Sequence, residues 1–97
     1  MEHEDALVEF MRNFVTREIS NDIEYSDKVE DGKIEMRWVL LPRNHPLFLL
    51  DPLESNLKRI FREEEWRSLG IKMSLGWHHC GFSPFEPNIL IFQRKRT

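Results

Sequence analysis

One cysteine in 97 residues, Cys80, cannot close an internal disulfide, so burial and hydrogen bonding have to hold this fold. A lone thiol fits a reducing compartment, and at this size the chain is expected in cytoplasm and nucleus. No apolar run approaches the length that spans a bilayer, so no membrane partner is expected. The acidic start (Glu2, Glu4, Asp5, Glu9) is unlike the basic opening of a secretory signal. Basic residues are also in deficit, 14 against 17 acidic, and a net charge of −3 argues against nucleic acid as a partner. The four glycines stand singly and form no phosphate-cradling loop.

Catalytic signals are equally sparse. Cys80 has no candidate base beside it in a recognisable motif. His78 and His79, adjacent in a strand, point to opposite faces and are poorly placed to share one ion. Glu63-Glu64-Glu65 opens a helix, where three acids complement the helix dipole. No catalytic residue, no metal and no cofactor are expected, and the chain does not read as an enzyme.

What is present describes one small domain with a single core. Leu7, Phe10, Met11 and Phe14 recur at helical spacing within residues 5–19, opposite Arg12, Asn13 and Arg17. That amphipathic helix is expected to pack on the body of its own domain. Ile23–Val29 reads as a strand, Asp31-Gly32 as a hairpin turn, and Ile34–Leu41 as the return strand, stopped by Pro42. Asp51-Pro52-Leu53-Glu54 carries helix-start signals for a helix burying Leu53, Leu57, Ile60 and Phe61. A second helix over Glu63–Leu69 ends at Gly70. Strands follow at Trp77–Phe82 and Asn88–Arg94, joined by a link stiffened by Pro84 and Pro87. The fold class is α+β: a four-stranded antiparallel sheet with two short helices between strands 2 and 3, plus an extra N-terminal helix. Residues 1–22 form a helical extension and 23–97 the domain proper.

Alternation sets Ile34, Met36, Trp38 and Leu40 on one face of the second strand, yet Val39 and Leu41 are apolar on the other. Helices can cover one face. The other is left as an apolar patch, a candidate interaction surface.

Strand and turn signals also send Lys28, Arg37 and Arg94 towards one polar spot, together with Ser74 and Trp77 from the segment around Gly70 and Gly76. Two guanidinium groups, an ammonium, a hydroxyl and an indole N–H are almost all donors, a set suited to an anion of phosphoryl size.

Tyr25-Ser26-Asp27-Lys28, Arg37, Val39-Leu40-Leu41-Pro42, Glu65-Trp66-Arg67-x-Leu69-Gly70, Ser74-x-Gly76-Trp77-x-His79 and Glu86-Pro87-x-Ile89-Leu90-x-Phe92-x-Arg94 stand here in an order that resembles the cyclin-dependent kinase regulatory subunits, the CKS family. The resemblance implies a four-stranded antiparallel sheet with two helices between its second and third strands. It implies a phosphate-binding pocket at Lys28, Arg37, Ser74, Trp77 and Arg94. It also implies a kinase-binding surface at Val29, Met36, Trp38, Leu40, Phe82, Ser83 and Glu86. In the family the link before the last strand, here Ser83, Pro84, Phe85, Glu86 and Pro87, is a hinge for strand exchange. This chain departs from the usual pattern there: one glutamate of the family link is Pro84, and aromatic positions of the sheet face are Val29 and Met36.

The function so implied is a non-catalytic adaptor that binds a cyclin-dependent kinase, or its complex with cyclin, and captures phosphoserine or phosphothreonine on protein substrates in cell-cycle control. Its rivals are a phosphopeptide module without the kinase and a strand-exchanged homodimer with a regulatory role.

Overall fold

The computed structural model describes residues 3–49 and 59–96. Helix α1 spans His3–Phe14 and α2 Arg17–Asn21; the strands are β1 Glu24–Tyr25, β2 Val29–Asp31, β3 Ile34–Leu40, β4 His78–Phe82 and β5 Ile89–Lys95. Between β3 and β4 lie a 3-10 turn at Pro46–Leu49 and helix α3 at Glu63–Ser68. The helix expected from Asp51 falls largely outside the described residues.

The sheet runs β1-β3-β5-β4, with β2 also paired to β3, and every pairing is antiparallel. The expected first strand is thus two pieces, broken at Ser26-Asp27-Lys28. The cause is local. Ser26 Oγ accepts the Trp38 backbone N–H at 2.8 Å, while Ser26 N–H donates to Trp38 O at 2.9 Å. A serine hydroxyl replaces a ladder carbonyl, and the chain bends away before rejoining as β2. The break leaves Lys28 beside β3.

The single N-terminal helix read from the sequence is likewise two, because Thr16 interrupts it as an N-cap. Its Oγ1 accepts the Ile19 N–H at 3.1 Å. The extension is built into the domain: Leu7 and Met11 belong to the core, which also holds Ile23, Val39, Leu41, Trp66, Leu69, Leu90 and Phe92. Gly70 makes this close approach possible. It adopts φ +96°, and a Cβ there would meet Val15 Cγ1 at 3.1 Å and Ser20 Oγ at 3.2 Å. Ser20 Oγ–H then donates to Gly70 O at 2.7 Å, tying α2 to the end of α3.

The apolar ambiguity of β3 resolves in favour of Val39 and Leu41, both buried against the helices, while Met36, Trp38 and Leu40 stay half-buried on the outer face. Two buried histidines brace the core as neutral rings. His79 Nδ1 accepts the Phe61 N–H at 2.9 Å and its Nε2 faces Gly81 O at 2.8 Å. His45 Nδ1 accepts the Leu47 N–H at 3.0 Å and its Nε2 faces Leu69 O at 2.7 Å. In each ring the proton therefore sits on Nε2.

Burial pushes the His79 pKa down to about 4 and lowers that of His45, despite the carbonyl contacts that favour protonation. Unfolding frees both rings to bind protons below about pH 6.5, so the unfolded chain takes up protons that the folded one refuses. Stability is expected to be full above that pH and to fall as pH drops towards 4, by at most about 1.4 kcal/mol per pH unit for each ring. Denaturant melts at pH 7, 6 and 5 check this; an unchanged midpoint across the series would contradict it. Lowered carboxylate pKa values confine the carboxylate contribution to more acid conditions.

Candidate functional site

Cross-strand register builds one side of the site. Glu35 on β3 lies opposite Arg94 on β5, and Arg37 lies opposite Phe92. Because strand faces alternate, Glu35 and Arg37 project to the same side as buried Val39. Trp77, at the entry to β4, is buried beneath them. The Arg94 guanidinium carbon sits 4.5 Å from its ring centroid and that of Arg37 5.5 Å away. The ring quadrupole attracts both cations to the one indole.

The other side is the segment from Ile71 to Trp77. Arg67 on α3 clamps it, donating to Met73 O at 2.9 Å while its Nε donates to Glu63 at 2.7 Å. Tyr25 Oη accepts the Lys72 N–H at 2.8 Å, so the Tyr-Ser-Asp-Lys segment braces the same loop. Gly76, at φ +99°, lets the chain turn under Arg94; a Cβ there would stand 3.3 Å from Arg94 Cδ. These contacts deliver Ser74, whose Oγ accepts from Arg94 Nη1 at 3.0 Å and keeps its own hydrogen to donate.

All five residues expected to bind phosphate thus converge. Among the described residues, Arg37 Nε is a buried side-chain nitrogen that no acceptor reaches. A buried N–H of this kind is costly to leave unpaired, and an anionic oxygen would satisfy it. Sequence reading missed Glu35. Its signal was available: in Glu35-Met36-Arg37 it stands two residues from Arg37, on the same strand face. It accepts from Arg94 Nε at 2.9 Å and Nη2 at 2.8 Å, and lies 3.8 Å from Lys28 Nζ. The Arg94 hydrogen bond holds its carboxyl below the usual range although burial opposes this.

The residues expected at a kinase surface are less uniformly placed. Val29, Met36, Trp38 and Leu40 share the outer face, extended by Ile89 and Ile91 through the pairs Leu40–Ile89 and Trp38–Ile91. Phe82 does not join them. A register shift between His79 and Gly81 turns it inward, 5.9 Å from the Phe61 ring and 5.0 Å from His79. In the link, Ser83 Oγ accepts the N–H groups of Phe85 and Glu86, and Ser83 N–H donates to Ile89 O at 2.9 Å. This closes the link on itself and returns β5 between β3 and β4. The Glu86 side chain is exposed beside a cavity of about 360 Å³ lined by Arg43, Phe48, Phe85 and Pro87.

One antiparallel sheet thus carries a donor-rich cluster on one face and an apolar patch on the other. Residues 23–96 match the family model described as cyclin-dependent kinase regulatory subunit. The chain is 40% identical over 79 residues to the cyclin-dependent kinases regulatory subunit of Drosophila melanogaster, covering 81% of this chain and 99% of the relative. It is also 40% identical to regulatory subunit 2 of Xenopus laevis (75% and 85% covered) and to that of Arabidopsis thaliana (74% and 80%). This chain belongs to the cyclin-dependent kinase regulatory subunit family, and its role is accordingly that of a kinase-associated accessory protein.

Proposed function

We propose that the chain is a non-catalytic adaptor. Its outer sheet face and the 83–87 link bind a cyclin-dependent kinase, while the Lys28–Arg37–Ser74–Trp77–Arg94 pocket captures phosphoserine or phosphothreonine on a substrate already phosphorylated. Holding the substrate raises the effective concentration of its remaining sites at the kinase, which favours multisite phosphorylation in cell-cycle control. The observation that carries the reading is the convergence of Lys28, Arg94 and Ser74 with Arg37, whose buried Nε–H no acceptor among the described residues reaches.

Two surfaces on opposite faces of one sheet can bind at once and fail separately. Trp38 projects outward between inward-facing Arg37 and Val39, so Trp38→Ala removes an aromatic anchor without touching the pocket. Trp38→Ala is expected to lose capture of a purified kinase–cyclin complex and to keep phosphopeptide affinity within about two-fold of wild type. Glu86→Gln, in the exposed link, is expected to behave in the same direction. Loss of both activities in a Trp38→Ala protein that melts normally would overturn the separation of surfaces.

A further inference from the structure

Glu35 is the feature of the pocket that anion recognition alone does not require. A donor site for phosphate has no obvious use for a carboxylate, yet Glu35 is largely buried in it, its side chain 13% exposed. One of its oxygens takes two N–H groups of Arg94, at 2.9 and 2.8 Å, and the other faces Lys28 at 3.8 Å. Its position is fixed by register, directly across the β3–β5 pair from Arg94. Three cations gathered on one side of a sheet repel each other, and a carboxylate between two of them relieves that repulsion before any ligand arrives.

We propose that Glu35 is a built-in competitor for the anion: it keeps Arg94 and Lys28 assembled in the free protein and lowers the pocket's affinity, so that only a doubly charged phosphoryl group competes effectively for them. The inference rests on the phosphate-binding reading of the pocket.

The physical case is an exchange. With Glu35 ionised, Lys28, Arg37 and Arg94 leave the pocket a net charge of +2, matching a phosphate monoester near neutral pH. A ligand carboxylate offers Arg94 only what it already has. Glu35 presents that group from the same chain, at an effective concentration that a free carboxylate does not reach. A phosphoryl group brings about twice the charge and a further acceptor oxygen, enough for Arg37 Nε and the Ser74 hydroxyl as well as Arg94.

Glu35→Gln separates this role from simple positioning, because the amide keeps an acceptor for Arg94 and loses the charge. Calorimetry would use a phosphothreonine–proline peptide, inorganic phosphate, and the same peptide with glutamate in place of phosphothreonine. Glu35→Gln is expected to bind the phosphopeptide and phosphate about ten-fold more tightly than wild type, and to melt at lower temperature without ligand. It is also expected to bind the glutamate peptide detectably where wild type does not. Equal or weaker phosphopeptide binding by Glu35→Gln, with wild type binding normally, would overturn the competitor role and leave the pocket reading intact. Binding by Glu35→Gln but not by wild type would support the role in its strongest form. Failure of both proteins to bind any phosphorylated probe would overturn the two readings together.

Discussion

Arg94→Ala is expected to reduce affinity for a phosphothreonine–proline peptide by at least about ten-fold while the protein stays folded. Charge-assisted hydrogen bonds contribute roughly 1.5–3 kcal/mol each, and a guanidinium can meet two phosphate oxygens at once. Arg94 also organises its neighbours. It donates to Ser74, stacks on Trp77 and pairs with Glu35, so its loss loosens the serine and leaves the carboxylate facing Lys28 and the incoming anion. Arg94→Lys keeps the charge without the fork and should fall between wild type and alanine. Calorimetry at two salt concentrations checks both points: affinity should decline with salt in wild type and decline less in Arg94→Ala. An Arg94→Ala protein that binds the phosphopeptide as wild type does would remove the pocket from the proposed function.

The largest effect on stability is expected at a residue that belongs to neither proposed binding surface. Glu65 is fully buried, and both its oxygens are taken by Arg59, at 2.9 and 2.5 Å. It also accepts the Arg62 N–H at 2.9 Å, reaching back from the first turn of α3 to satisfy the N-cap backbone. The Arg59 hydrogen bonds hold its pKa low in spite of burial. Glu65→Ala removes the cap and the ion pair in one step. Arg59 is partly open to water, which softens the electrostatic loss, so a cost of about 2–4 kcal/mol is expected. For a domain of this size that is roughly a 10 °C fall in melting temperature or more. Glu65→Gln should lose less, because the amide oxygen can still accept the Arg62 N–H. A melting temperature within a degree or two of wild type for Glu65→Ala would show that the ion pair merely balances its desolvation.

These outcomes bear on residues that differ in how readily the sequence disclosed them. Donor chemistry and motif order singled out Lys28, Arg37, Ser74, Trp77 and Arg94, and the structure assembles all five. Glu35 escaped notice because a carboxylate in a strand reads as a solvated charge until cross-strand register sets it against Arg94. Phe82 stands off the outer sheet face through a break in the β4–β5 register. Strict alternation would have kept it off the face of His79, and the irregularity at Cys80–Gly81 returned it to the core. The N-terminal helix broke at Thr16 and the first strand at Ser26, each where a hydroxyl offered the backbone a rival partner.

Composition and periodicity therefore determined the α+β class, the number and order of most elements, and the absence of any disulfide in this chain. Those properties follow from local propensity and from which residues must leave water, and both are written along the chain. Tertiary structure decided which face of β3 is covered, which carboxylate pairs with Arg94 and Lys28, and how deeply the N-terminal helix is joined to the domain. Each of these depends on pairing between segments far apart in sequence, Glu35 with Arg94, Ser20 with Gly70, Met11 with the core, and a linear pattern carries no record of such distances.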